Sequence, residues 1–85
     1  MKESRFFAYM EKPMLDMEAN QRLRLENYKE FLDLTEDRIR IAAGRGFYEI
    51  TGEALRVRAV SRREIFIEGR IRNIQVDFKE GDKKE

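Results

Sequence analysis

From Gly46 to Phe78 the chain reads GFYEITGEALRVRAVSRREIFIEGRIRNIQVDF, with an apolar residue at nearly every second position. That period lines apolar side chains along one face of a pleated strand, whereas a helix needs them three or four apart. Glycines and charged turns cut the pattern into short runs. None leaves room for a helical crossover, so neighbouring strands must return antiparallel. The residues from Gln21 onward obey the same rule. Strands are expected at 22–26, 31–34, 38–42, 47–51, 55–60, 64–68 and 71–78. Turns are expected at Asn27-Tyr28-Lys29-Glu30, Thr35-Glu36-Asp37 and Gly44-Arg45-Gly46. The predicted fold is all-β over residues 21–78: an antiparallel meander, a sandwich or a barrel-like sheet of about seven short strands.

Two finer features bear on topology. Ile65, Ile67 and Ile71 share one parity, while Ile74, Val76 and Phe78 have the other. A shift of one residue turns side chains to the opposite face, which predicts a bulge or bend near Arg72-Asn73. There is also an internal echo, Glu49-Ile50-Thr51-Gly52 against Phe66-Ile67-Glu68-Gly69. A short β-solenoid would repeat in this way and stands as the structural alternative.

Residues 1–20 form an N-terminal arm of different character, with all four methionines, the one proline and no alternation. Phe6, Met10, Met14 and Met17 fall at helical spacing, so the arm is expected to be partly helical, with Pro13 at a helix start and Asn20 at its end. It reads either as a cover lying over the sheet or as an adhesive segment. In the second reading Phe6, Phe7, Tyr9, Met10, Met14 and Met17 dock on a partner. Residues 79–85 are charged and glycine-containing and are expected to be a disordered tail.

The length of 85 residues allows one domain, small enough that a docked partner or a homo-oligomer is a natural expectation. Cysteine and histidine are absent, which removes disulfides, thiolate and imidazole metal sites, and catalysis by either residue. No cofactor or metal is expected. No apolar run approaches the roughly 20 residues of a membrane span. The stretch from Phe6 to Met10 is closed by Glu11 and Lys12, too soon for a signal peptide. The expectation is a cytoplasmic protein, at a membrane only peripherally and through a partner.

A recurring Arg-apolar-Arg unit stands out: Arg22 and Arg24, Arg38 and Arg40, Arg56 and Arg58, Arg70 and Arg72. In a strand, residues two apart share a face, so each pair lies opposite the core. One reading is a basic sheet face that holds phosphates, with Tyr48 or Phe66 stacking on bases. The other is a solvated face on which the arginines pair across strands with Glu26, Glu49, Glu53 and Glu68. The net charge is only +1, and residues 21–78 carry 12 basic against 10 acidic side chains, which favours the second reading over nucleic acid. An enzyme would need Ser4, Ser61, Thr35 or Thr51 as nucleophile, with no base related to any of them. Glu36-Asp37 reads as a solvated turn, and Gly44-Arg45-Gly46 lacks the remainder of a phosphate-binding motif. A third possibility is strand addition from another chain along Phe47–Thr51 or Glu64–Gly69.

Four segments resemble the YabP/YqfC family of sporulation proteins. They are Leu25-Glu26-Asn27-Tyr28-Lys29, Thr35-Glu36-Asp37-Arg38-Ile39, Ile50-Thr51-Gly52 followed by Leu55-Arg56-Val57, and Glu64-Ile65-Phe66-Ile67-Glu68-Gly69-Arg70-Ile71. The "ENYK" turn and the proline-containing arm resemble YqfC more than YabP. The resemblance implies a non-enzymatic sporulation protein, an interaction or morphogenesis factor acting at the forespore surface from the mother-cell side. It also implies a protein partner, a polytopic membrane protein encoded beside YqfC-like proteins. The alternative function is a small β-barrel nucleic-acid-binding module that uses the arginine face.

Overall fold

The computed structural model describes residues 12–78, so Phe6, Phe7, Tyr9, Met10 and the tail at 79–85 lie outside the described residues. The fold is all-β, with six strands: β1 (Met14–Glu18), β2 (Arg22–Glu26), β3 (Tyr28–Leu34), β4 (Arg38–Ala43), β5 (Gly46–Val60) and β6 (Glu64–Phe78). All neighbours pair antiparallel in one sheet of order β1-β2-β6-β5-β4-β3.

The strands differ from those expected in four places. Segments 47–51 and 55–60 run together as β5, and 64–68 and 71–78 as β6. The turn after β2 is a single residue, Asn27 (φ 63°), and Tyr28 already pairs with Ala43. The helix expected between Pro13 and Asn20 is instead β1, with Leu15 opposite Leu25 and Met17 opposite Leu23. A helix of one or two turns does not repay its own nucleation, whereas a strand laid along β2 satisfies its backbone at once. The sheet therefore begins at Met14.

β5 and β6 are each 15 residues long, and their outer partners cover less than half of each. β4 pairs with Gly46–Thr51, and β2 pairs with Glu64–Glu68. The central hairpin is thus shared between two half-sheets. Its ladder slips three times, at Arg72, at Ala54-Leu55 opposite Gly69, and at Arg58. The first of these is the bulge that side-chain parity predicts. Bulges bend a strand and sharpen its twist, and here they fold the sheet back over itself. The bend is tied by four backbone bonds: Gly52 N–H to the Asp37 carbonyl (3.1 Å), Leu55 N–H to Glu36 (2.8 Å), Gly69 N–H to Gln21 (3.1 Å) and Ile71 N–H to Asn20 (2.9 Å).

Folding back lets the two inner faces bury each other. Leu23, Leu25, Ile65 and Ile67 come from one half, Ile39, Ile41 and Ile50 from the other, and all are essentially without solvent contact. They join Ala43, Tyr48, Leu55 and Ile71 in one cluster. A flat sheet would leave one face of these residues wet, at about 1.5–3 kcal/mol for each large aliphatic side chain. At the other end of the fold, Tyr28 Oη donates to the Ser61 carbonyl (2.9 Å) and Asn27 N–H to that of Arg63 (2.7 Å). β1 and β3 remain the outer strands, so the sheet curls without closing. The architecture is not a solenoid. The echoed glycines, Gly52 and Gly69, sit together at the one bend, on antiparallel neighbours.

Candidate functional site

Alternation turns the Arg-apolar-Arg units outward, and the register decides what they meet. Glu18, Arg22, Glu68 and Arg56 stand directly opposite one another on β1, β2, β6 and β5. This row of alternating charge closes through contacts of 3.3, 3.9 and 3.8 Å. Arg58 also reaches Glu68, at 3.6 Å, so three guanidinium groups share one carboxylate. Arg24 donates to Asp16 (2.6 Å) and lies near Glu26 and Glu64. The Asp16 hydrogen bond, assisted by the nearby carboxylates, holds the Arg24 pKa above its ordinary value. On the other half of the sheet Arg38 meets Asp33 at 2.8 Å, while Arg70 and Arg72 meet Glu53 at 3.9 and 2.7 Å.

Arg40 is the exception in kind. Its Nε is 4.0 Å from Glu49 and makes no hydrogen bond among the described residues, while the guanidinium lies 4.7 Å from the centre of the Phe47 ring. Each of the eight arginines thus has a carboxylate within 4.0 Å, Glu26, Glu49, Glu53 and Glu68 among them. Solvated pairs like these are worth about 0–1 kcal/mol apiece, so their main effect is to cancel the field a polyanion would feel.

The aromatics proposed for base stacking separate. Tyr48 is 7% exposed, packs 5.5 Å from the Phe78 ring, and has its phenol pKa pushed up by burial. It has no free face. Phe66 is 38% exposed and floors a shallow groove between Arg24 and Ala59. Of the docking residues, Met14 and Met17 are half exposed but lie on opposite faces of β1, so they do not form the single stripe a helix would give. In the turn at 35–37, Thr35 Oγ1 donates to Asp37 (2.9 Å) and accepts the Arg38 N–H (3.0 Å).

The expected strand-adding edges, Phe47–Thr51 and Glu64–Gly69, are interior: Phe47–Thr51 and Glu64–Glu68 are each flanked by a strand on both sides, and the Gly69 N–H is bonded to the Gln21 carbonyl. The free edges lie elsewhere. Among the described residues they are β1, β3, and the halves of β5 and β6 that outrun β4 and β2. Sequence reasoning also missed Arg62 and Arg63, which have no carboxylate within 4.0 Å among the described residues. The available signal was the lack of any acid between Glu53 and Glu64. Among the described residues no group of three or more acids gathers to hold a metal ion, and no helix is long and apolar enough to cross a membrane.

These features define a small all-β module whose outward Arg-apolar-Arg units are neutralised by neighbouring carboxylates and whose exposed large apolar side chains, Phe66 apart, lie along free strand edges. The chain belongs to the YabP family, whose model matches residues 10–84. It is accordingly a sporulation-related protein, and the YabP family is not a known enzyme family. No curated protein and no solved structure matches the chain.

Proposed function

We propose that the protein is a non-enzymatic, YqfC-type interaction or morphogenesis factor that acts at the forespore surface from the mother-cell side. The family match carries this reading. Its partner is a polytopic membrane protein, engaged through Phe6, Phe7, Tyr9 and Met10 together with the exposed Met14 where the arm meets β1. Flexible, polarisable methionines beside aromatics suit a surface that must fit another protein.

The test is a fluorescent fusion in sporulating cells, paired with capture of the membrane protein encoded beside the gene. The fusion is expected to gather around the forespore. Deleting residues 1–11, which spares β1, is expected to abolish capture while the fold persists. A fusion spread evenly through the cell would sink the assignment, and undiminished capture by the truncated chain would remove the arm from it.

A further inference from the structure

We propose that the protein assembles head to tail with itself, β1 of one copy adding to the Arg56–Val60 stretch of β5 in the next. The inference rests on the sheet alone and holds whether or not the forespore assignment does. One half-sheet runs β5-β6-β2-β1, and among the described residues no strand lies on the far side of β1 or of β5 beyond Leu55, whose N–H meets the Glu36 carbonyl. Such edges present a row of backbone donors and acceptors to any strand that fits.

The side chains on these two edges fit each other. The outward row across the half-sheet is Glu18, Arg22, Glu68, Arg56, acid at one end and base at the other. The inward row beside it is Met17, Leu23, Ile67, Val57, apolar throughout. If Met17 of a second copy lies beside Val57, its Glu18 faces Arg56 and its Asp16 faces Arg58. Both rows then continue unbroken through the contact. Strand direction agrees too. The half-sheet alternates direction from β1 to β5, so β1 of the next copy meets β5 antiparallel. Arg56 and Arg58 are more than half exposed and share Glu68 with Arg22, leaving cationic capacity at this edge. Met17 and Val60, exposed in one copy, become covered.

The outer strand at the far end of the sheet lacks this match. β3 is bulged twice along its ladder with β4, which spoils a straight run of donors. The contact joins two different surfaces, so it does not stop at two copies and yields a ring or a filament.

The full chain is tested by sedimentation over a concentration series. Mean mass is expected to climb past twice the 10.2 kDa of one copy and to fall with added salt. Arg56→Glu with Arg58→Glu, and separately Asp16→Lys with Glu18→Lys, are each expected to weaken association about tenfold or more. An equimolar mixture of the two is expected to restore it, because each reversed edge then meets its complement. The chain has no cysteine, which permits a second measurement independent of charge. Met17→Cys with Val57→Cys in one chain is expected to give a ladder of covalent multimers on mild oxidation, whereas either cysteine alone stops at a dimer. Two intervening strands prevent the bond from forming within one copy. A wild-type chain that stays at one-copy mass into the high-micromolar range, or a doubly substituted chain that gives no ladder, overturns the proposal.

Discussion

Gly69 and Ala54 meet across the bend of the β5–β6 hairpin, where a β-carbon on Gly69 would stand 2.6 Å from the Ala54 carbonyl oxygen. The Gly69 φ of 140° is also one that residues with side chains rarely adopt. Gly69→Ala is therefore expected to destabilise the fold by about 3 kcal/mol or more, strain and overlap combined. A urea titration checks this. An unchanged midpoint would mean the backbone can bend here without glycine.

Core truncations should separate the enclosed residues from those at the edges. Ile67 is 1% exposed at the centre of the cluster, and Ile67→Ala is expected to cost about 2–5 kcal/mol. Val76 lies on the same sheet but is 55% exposed, and Val76→Ala should stay within about 0.5 kcal/mol of wild type. Equal losses at the two sites would contradict a core enclosed by the folded-over halves.

Tyr48 makes alkaline stability a probe of that enclosure. Burial raises its pKa in the folded state. Below about pH 10 both states keep the phenol proton, so the group adds no pH dependence. Above it the unfolded chain loses the proton first, and stability falls as pH rises toward the folded-state pKa. Tyr48→Phe should flatten that decline, as read from denaturation midpoints between pH 9 and pH 11 (about one unit either side of the phenol's usual value). An identical decline in the variant would place its cause elsewhere.

Glu68 restrains Arg22, Arg56 and Arg58 together. The wild-type chain should pass a heparin or oligonucleotide column at low salt. Glu68→Gln should be retained and elute earlier as salt is raised, because contacts with a polyanion release counterions. Strong wild-type retention would restore the nucleic-acid reading of this face.

The parts of this fold legible in advance are those that depend on neighbours along the chain. A period of two marked every strand from Arg22 onward, turned Ile39, Ile41, Ile65 and Ile67 inward, and exposed the slip at Arg72. What escaped depends on distant partners. Gly52-Glu53-Ala54 and Gly69-Arg70 have the composition of turns, and the same residues serve bulges inside a strand, so two long strands read as four. Met14–Glu18 is built of good helix formers and becomes a strand only because Leu23 and Leu25 lie alongside. The outward direction of the arginines followed from spacing. That Arg22 and Arg56 share one glutamate needed the register of three strands.

The middle position of β6 in the sheet has a consequence for synthesis. β2 has no lateral partner but β1 until Glu64–Glu68 leaves the ribosome, and Ile71 supplies a tie to Asn20 later still. The first two strands must therefore wait, unshielded, while β3, β4 and β5 are made, and then slot in beside β6. A nascent chain arrested before Glu64 should remain open to protease at its front end, and acquire resistance once the final strand emerges.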